Sequence, residues 1–141
     1  MNPIVQSLLL ADRVYRDQIS QRYIVTGIFN CIEFAEFERD SAKNQAGRPG
    51  APWVYISVTE IRKKTEFLLR YVNLENDAII MGTKFTIVGD DPLQVHERGF
   101  GMPMPPISAG VQELQLLVDE CLLGRVRVTI KKVENNHVES D

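Results

Sequence analysis

"GMPMPPISAGVQELQLLVDECLLGRVRVTIKK", residues Gly101 to Lys132, decides how the chain folds. It holds two apolar alternations, "VQELQLLV" and "CLLGRVRVTI", joined at Asp119–Glu120. In the second, Val126, Val128 and Ile130 point one way, and Arg125, Arg127, Thr129 and Lys131 the other. A period of two with one apolar side is the pattern of a half-buried antiparallel strand with one wet face. The pair therefore reads as a hairpin, one face buried and one lined with base. The segment before it, "GMPMPPI", is different in kind. A residue that precedes proline is pushed to extended conformations, and proline withholds a ladder donor. That run predicts a stiff crossover or an edge.

The same period recurs outward along the chain. "WVYISVTEI" (Trp53–Ile61) is β-branched and aromatic and reads as a strand. "TEFLLRYV" (Thr65–Val72) and "AIIMGTKFTIV" (Ala78–Val88) follow, parted by the turn "NLEND". "YIVTGIFNCIEF" (Tyr23–Phe34) is apolar on both faces and predicts one central strand with a bulge near Gly27 or Asn30. The opening "PIVQSLLLADRVYRD" also fits a helix face through Ile4, Leu8 and Ala11. We read it as a strand because the turn-like "RDQISQ" leads straight into another one. "RDSAKNQAGRPGAP" (Arg39–Pro52) is a long polar loop. About seven to nine short strands with turn signals between them predict an all-β, single-domain antiparallel β-sandwich with an immunoglobulin-like or C2-like layout. The domain spans residues 1–133, followed by a flexible acidic tail over 134–141.

Composition narrows the functions. The chain has 141 residues, 44% hydrophobic and 25% charged, and a chain of this length can bury roughly 70% of its unfolded surface without metal or disulfide. The formal charge is −3. Glu134, Glu139 and Asp141 sit in a tail without Lys or Arg; without them, residues 1–133 carry 16 acids against 16 bases. A neutral body lacks the basic excess of a nucleic-acid-binding domain. Cys31 and Cys121 are far apart and make no disulfide framework; they read as two reduced core thiols of a cytoplasmic protein. "MNPIVQSLLLADRV" has no basic residue before its apolar run, which is broken by Gln6 and Ser7. It does not read as a signal peptide, and no stretch is long enough for a membrane helix.

No residue set points firmly to chemistry. His96 and His137 are the two histidines, with no paired spacing for zinc. Asp90, Asp91 and Asp119 fall at strand ends, where calcium could bind, but Asp in turns ordinarily caps local N–H groups. Ser7, Ser20, Ser57, Ser108 and the two Cys lack a nucleophile elbow. His96 alternates with Val95 and predicts a solvated strand-face side chain; as a base it would need Asp90 or Asp91 beside it. No phosphate loop or dinucleotide fingerprint is present. We expect no catalytic residue, no metal and no cofactor.

Two surfaces stand out instead. Phe100, Met102, Met104 and Ile107 form an apolar strip with Pro103, Pro105 and Pro106; it predicts either core filler or a contact strip for a partner or a second copy. Arg125, Arg127 and Lys131 form a basic face on the last strand. It predicts a patch for phosphate or an acidic partner or, as the plainer alternative, charges on an exposed or edge strand that prevent edge-to-edge pairing. Trp53, Asn73 and Asn76 are weak hooks for a small ligand such as a carbohydrate or an anion.

Both ends of the chain resemble a family of small bacterial domains of unknown function. Its members open with an apolar strand ending in Asp, then a short hairpin into "G-x-F", and close with "P-x-P…G-x-Y-x-F-x-V-x-V-D-G-x-x-L-G". Here the opening is "LLLADRVYRDQISQRYIVTGIFN" and the closing "MPMPPISAGVQELQLLVDECLLG". The resemblance covers the two ends and the middle only loosely. It implies a β-sandwich and supplies no catalytic residue, cofactor or substrate. Leu114 stands where the family commonly has an aromatic, the loop Arg39–Pro52 stands as an insertion, and Glu120 follows Asp119 where the family usually has Gly. A two-residue type I′ turn needs positive φ at both central positions. The turn is therefore longer or of another type, or Glu120 is strained by about 1 kcal/mol. Taken together, the sequence predicts a non-enzymatic binding or protein-interaction module with an unknown protein partner or self-association, no membrane and no nucleic acid. A small-ligand-binding sandwich is the second expectation and an enzyme built on His96 the third.

Overall fold

The computed structural model describes residues 2–34, 51–102 and 110–132. Nine strands are formed among them: β1 (Ile4–Arg16), β2 (Tyr23–Ile28), β3 (Cys31–Phe34), β4 (Trp53–Thr59), β5 (Thr65–Asn73), β6 (Ala78–Ile87), β7 (His96–Gly101), β8 (Gly110–Val118) and β9 (Cys121–Lys132). They make a four-stranded sheet, β2-β1-β4-β7, and a five-stranded sheet, β3-β9-β8-β5-β6. The fold is the expected single-domain β-sandwich. With β1, β4 and β7 as strands A, B and E, and β9, β8 and β5 as G, F and C, the order is that of an immunoglobulin sandwich, β6 being the added strand beside C. Every neighbouring pair is antiparallel except β3 and β9, which run parallel from Cys31↔Thr129 to Phe34↔Lys132.

Alternation explains the core. Leu8 and Leu10 of β1, Val54, Ile56 and Val58 of β4, and Phe67, Leu69 and Tyr71 of β5 face the gap between the sheets. Leu114, Leu116 and Val118 of β8 and Val128 of β9 complete it. The predicted phase of the last strand holds: Val128 and Ile130 are buried, while Arg125, Arg127 and Lys131 are exposed. β8 departs from the half-buried reading. Its outward side chains Glu113, Gln115 and Leu117 are buried as well, because β8 is flanked by β9 and β5. The polar pair is satisfied laterally: Arg70 Nε donates to Gln115 Oε1 at 2.9 Å and Gln115 Nε2 to Glu113 Oε1 at 2.8 Å.

"YIVTGIFNCIEF" is two strands rather than one central strand. Apolar residues on both faces arise because the segment crosses from one sheet to the other. Phe29 N bonds Leu10 O in the four-stranded sheet, and Asn30 O accepts from Thr129 N in the five-stranded one. Gly27 sits just before this crossing with φ 69°, and a side chain there would run into the Asp12 carboxylate. Ala11 and Val14 are both buried although three residues apart, so β1 changes face between them, at Asp12. The far half of the β1–β2 hairpin thereby lies over the outer surface of β4 and β7. Val14 covers Gly99, where an added Cβ would meet Val14 Cγ1 at 2.5 Å.

Candidate functional site

Among the described residues, β6 and β7, the last strands of their sheets, meet along one flank. Phe85 of β6 joins the two layers there. It stacks on Phe67 of β5 (centroids 5.1 Å apart, 7° between planes) and tilts against Phe100 of β7 (5.2 Å, 59°). Beside this aromatic bridge runs a groove of about 340 Å³, lined chiefly by Met81, Thr83 and Phe85 on one side and Phe100, Gly101 and Met102 on the other. Met102 is buried in the core cluster and its N–H bonds Pro52 O at 2.9 Å. Phe100 is partly buried against the same cluster. Two members of the predicted apolar strip are thus brought together as one wall of the groove, with Met102 facing in. Met104 and Ile107 lie outside the described residues. The opposite wall, on β6, carries no sequence feature that singles it out.

Among the described residues β6 leaves its outer backbone edge without a neighbouring strand. It is ten residues long and carries one charge, Lys84. Ile79, Gly82, Thr83, Lys84 and Thr86 are exposed, Ile79 by 60%. The other three terminal strands differ. β3 is four residues long and includes Glu33. β2 is six residues long and ends beyond Gly27 at its positive φ. β7 is six residues long with His96, Glu97 and Arg98 in succession. Short length, backbone irregularity and charge are the devices that keep an edge from pairing with another chain. β6 has Lys84 and one irregularity, at Ile80, where the β5–β6 ladder steps from Tyr71↔Met81 to Val72↔Ile79, and its edge is regular from Met81 to Ile87.

A second cluster lies on the outer face of the four-stranded sheet. Tyr55 OH donates a short hydrogen bond to Glu97 Oε2. Tyr23 tilts on Tyr55 with centroids 5.7 Å apart, and the Arg16 guanidinium lies 5.6 Å above the Tyr23 ring. Burial, then the bond to Glu97 and its charge, push Tyr55 up to about 12. A phenol held protonated is a donor, not a base, so the arrangement fastens the hairpin to the sheet. It places no nucleophile beside a general base.

His96 is buried, 8% exposed, and Nε2 has no hydrogen-bond partner among the described residues. The expected solvated histidine is therefore corrected. Val95 precedes the strand, so the phase of His96 is set by its pairing with Val58, whose side chain faces the core. Asp90 and Asp91 are exposed, and Asp91 Oδ1 accepts from Leu93 N at 3.0 Å within its own turn. Among the described residues no three His, Cys, Asp or Glu side chains could hold a metal ion together. Asn73 and Asn76 brace the β5–β6 turn, accepting from Glu75 N at 2.9 Å and Ala78 N at 3.0 Å, while Trp53 stands half-buried on the other sheet. Cys31 is partly buried and Cys121 exposed, both free, which corrects the expectation of two core thiols.

The basic face is where alternation put it. β3 covers only Thr129–Lys132 of β9, so Lys131 lies opposite Glu33 while Arg125 and Arg127 stand on a stretch paired, among the described residues, with β8 alone. Arg125 and Arg127 stand opposite Gln115 and Glu113. At the end of the sandwich a recess of about 360 Å³ holds Lys63 and Lys64, but also Glu66 and Asp119, so its field favours neither sign. No helix among the described residues is long and apolar enough to cross a membrane. Compared with models of known protein families the chain matches none, and no curated protein is similar to it in sequence.

Proposed function

We propose that this protein is a non-enzymatic binding module that accepts an extended polypeptide strand along its β6 flank. One observation carries the reading. An edge with a single charge, regular from Met81 to Ile87, lies next to an apolar groove. Strand addition uses these two elements together: unpaired ladder groups give affinity, and a groove for alternate side chains gives selectivity. The partner segment this chemistry fits is extended, with apolar residues at every second position. Its contact with Phe100 keeps one member of the apolar strip as part of the binding surface. The neutral body supports recognition by shape and backbone rather than by charge. Free Cys31 and Cys121 support a reducing compartment, so a cytoplasmic location belongs to the same proposal. The sandwich fold is also compatible with the bacterial domain family that the two ends resemble.

The test is selection of a random linear peptide library on the immobilised protein. Enriched peptides alternate apolar and polar residues, and they bind the double variant Ile79→Lys, Thr83→Lys at least about tenfold more weakly. Both positions are exposed, so the variant keeps its fold, checked by its unchanged thermal midpoint. Enriched peptides without alternation, or with equal affinity for both proteins, would remove the flank as the site.

A further inference from the structure

The strand that completes β6 can come from a second copy of the chain. We infer that two copies pair β6 against β6 in antiparallel sense about a two-fold axis, joining two five-stranded sheets into one continuous sheet. The inference rests on the reading of β6 as a strand-accepting edge, and it names the strand.

Three features of the edge favour its own copy. First, β6 matches itself in charge. Lys84 is its only charged residue, and a two-fold axis at Gly82 sets Lys84 opposite Ile80 of the other copy, so no like charges meet. Second, the middle of the strand is small and exposed. Gly82 and Thr83 would lie nearest the axis, where side chains of the two copies crowd most. Third, the bodies do not repel. Residues 1–133 carry 16 acids and 16 bases, and Lys84 already has Glu66 at 3.7 Å on its own chain.

The two-fold symmetry fixes the number of copies. An isologous pairing consumes β6 on both chains. The assembly therefore closes at two and does not grow into a filament.

Native mass spectrometry and sedimentation at tens of micromolar test this. The expected species is twice the 16.0 kDa of one chain. In Ile79→Lys, Thr83→Lys the dissociation constant rises about a hundredfold or more, because each pairing then faces added like charges. In a background with Cys31→Ser and Cys121→Ser, Gly82→Cys forms an intermolecular disulfide on mild oxidation, since the residue on an antiparallel two-fold faces its own copy within bridging range. A protein that stays at one chain's mass, or a dimer that survives the double variant and gives no crosslink, overturns the inference. The two readings separate cleanly. A monomer whose double variant loses the selected peptides keeps the strand-accepting flank and loses the dimer. A flank variant that changes neither mass nor peptide binding removes both.

Discussion

Glu120 holds φ 66° beside Asp119 at φ 49°, and Val118 pairs directly with Cys121 across them. This is a two-residue type I′ turn built from residues that dislike it. Asp tolerates the left-handed region; Glu does so at a cost of about 1 kcal/mol or somewhat more. Glu120→Gly is therefore expected to stabilise the protein by about 1 kcal/mol. It should raise the urea midpoint with no change in slope; a lowered midpoint would mean that the Glu120 side chain holds something the backbone strain hides. The turn was half legible in the sequence. Spacing named the residues, but whether the chain would lengthen the turn or strain it depended on the β8–β9 register. The same limit governs His96. Its neighbours in sequence suggest an outward side chain, and only its partner strand, Val58 on β4, turns it inward.

Elements carry more of the design than single residues do. The β1–β2 hairpin is fixed to the outer face of β4 and β7 by Val14 over Gly99 and by Tyr23 beside Tyr55. Gly99→Ala should destabilise by about 1–3 kcal/mol through overpacking against Val14, and Val14→Ala in the same chain should return part of it. Additive losses in that double variant, read from denaturant unfolding, would show that the two side chains do not share the space. The phenol pairing predicts a pH effect with a definite sign. Tyr55 moves from 10.0 unfolded to about 12 folded. Its contribution is complete below about pH 10 and is lost as pH rises toward 12, because the unfolded chain releases that proton first. Tyr71, whose phenol burial also raises, acts in the same direction. In Tyr55→Phe the fall of unfolding free energy between pH 10 and 12 becomes shallower; an unchanged slope would assign it to other groups. None of this hairpin docking could be read from the sequence. "YIVTGIFNCIEF" looks like one strand, since a strand that changes sheets and a strand buried on both sides show the same apolar run.

At the scale of the molecule the architecture was legible, because period two with turn signals leaves little but a sandwich or a barrel. The binding flank was legible by half. Phe100 and Met102 announce themselves among prolines, but β6 reads as an ordinary strand until its neighbours are known, and an edge is a property of topology. The one parallel pairing has a further consequence, in the order in which the chain is made. The four-stranded sheet has all its strands once Gly101 has left the ribosome. The five-stranded sheet does not: β3, made early, waits for β9 to pair Cys31 with Thr129. Through that interval β5 and β6 have each other but no β8, and the core faces of Leu8, Val54 and Ile56 have no completed layer opposite them. Long-range closure of this kind slows folding and leaves apolar strands exposed while it lasts. For this protein the period of greatest exposure during synthesis falls while β8 and β9 are being made, and the nascent β6 edge is open throughout it.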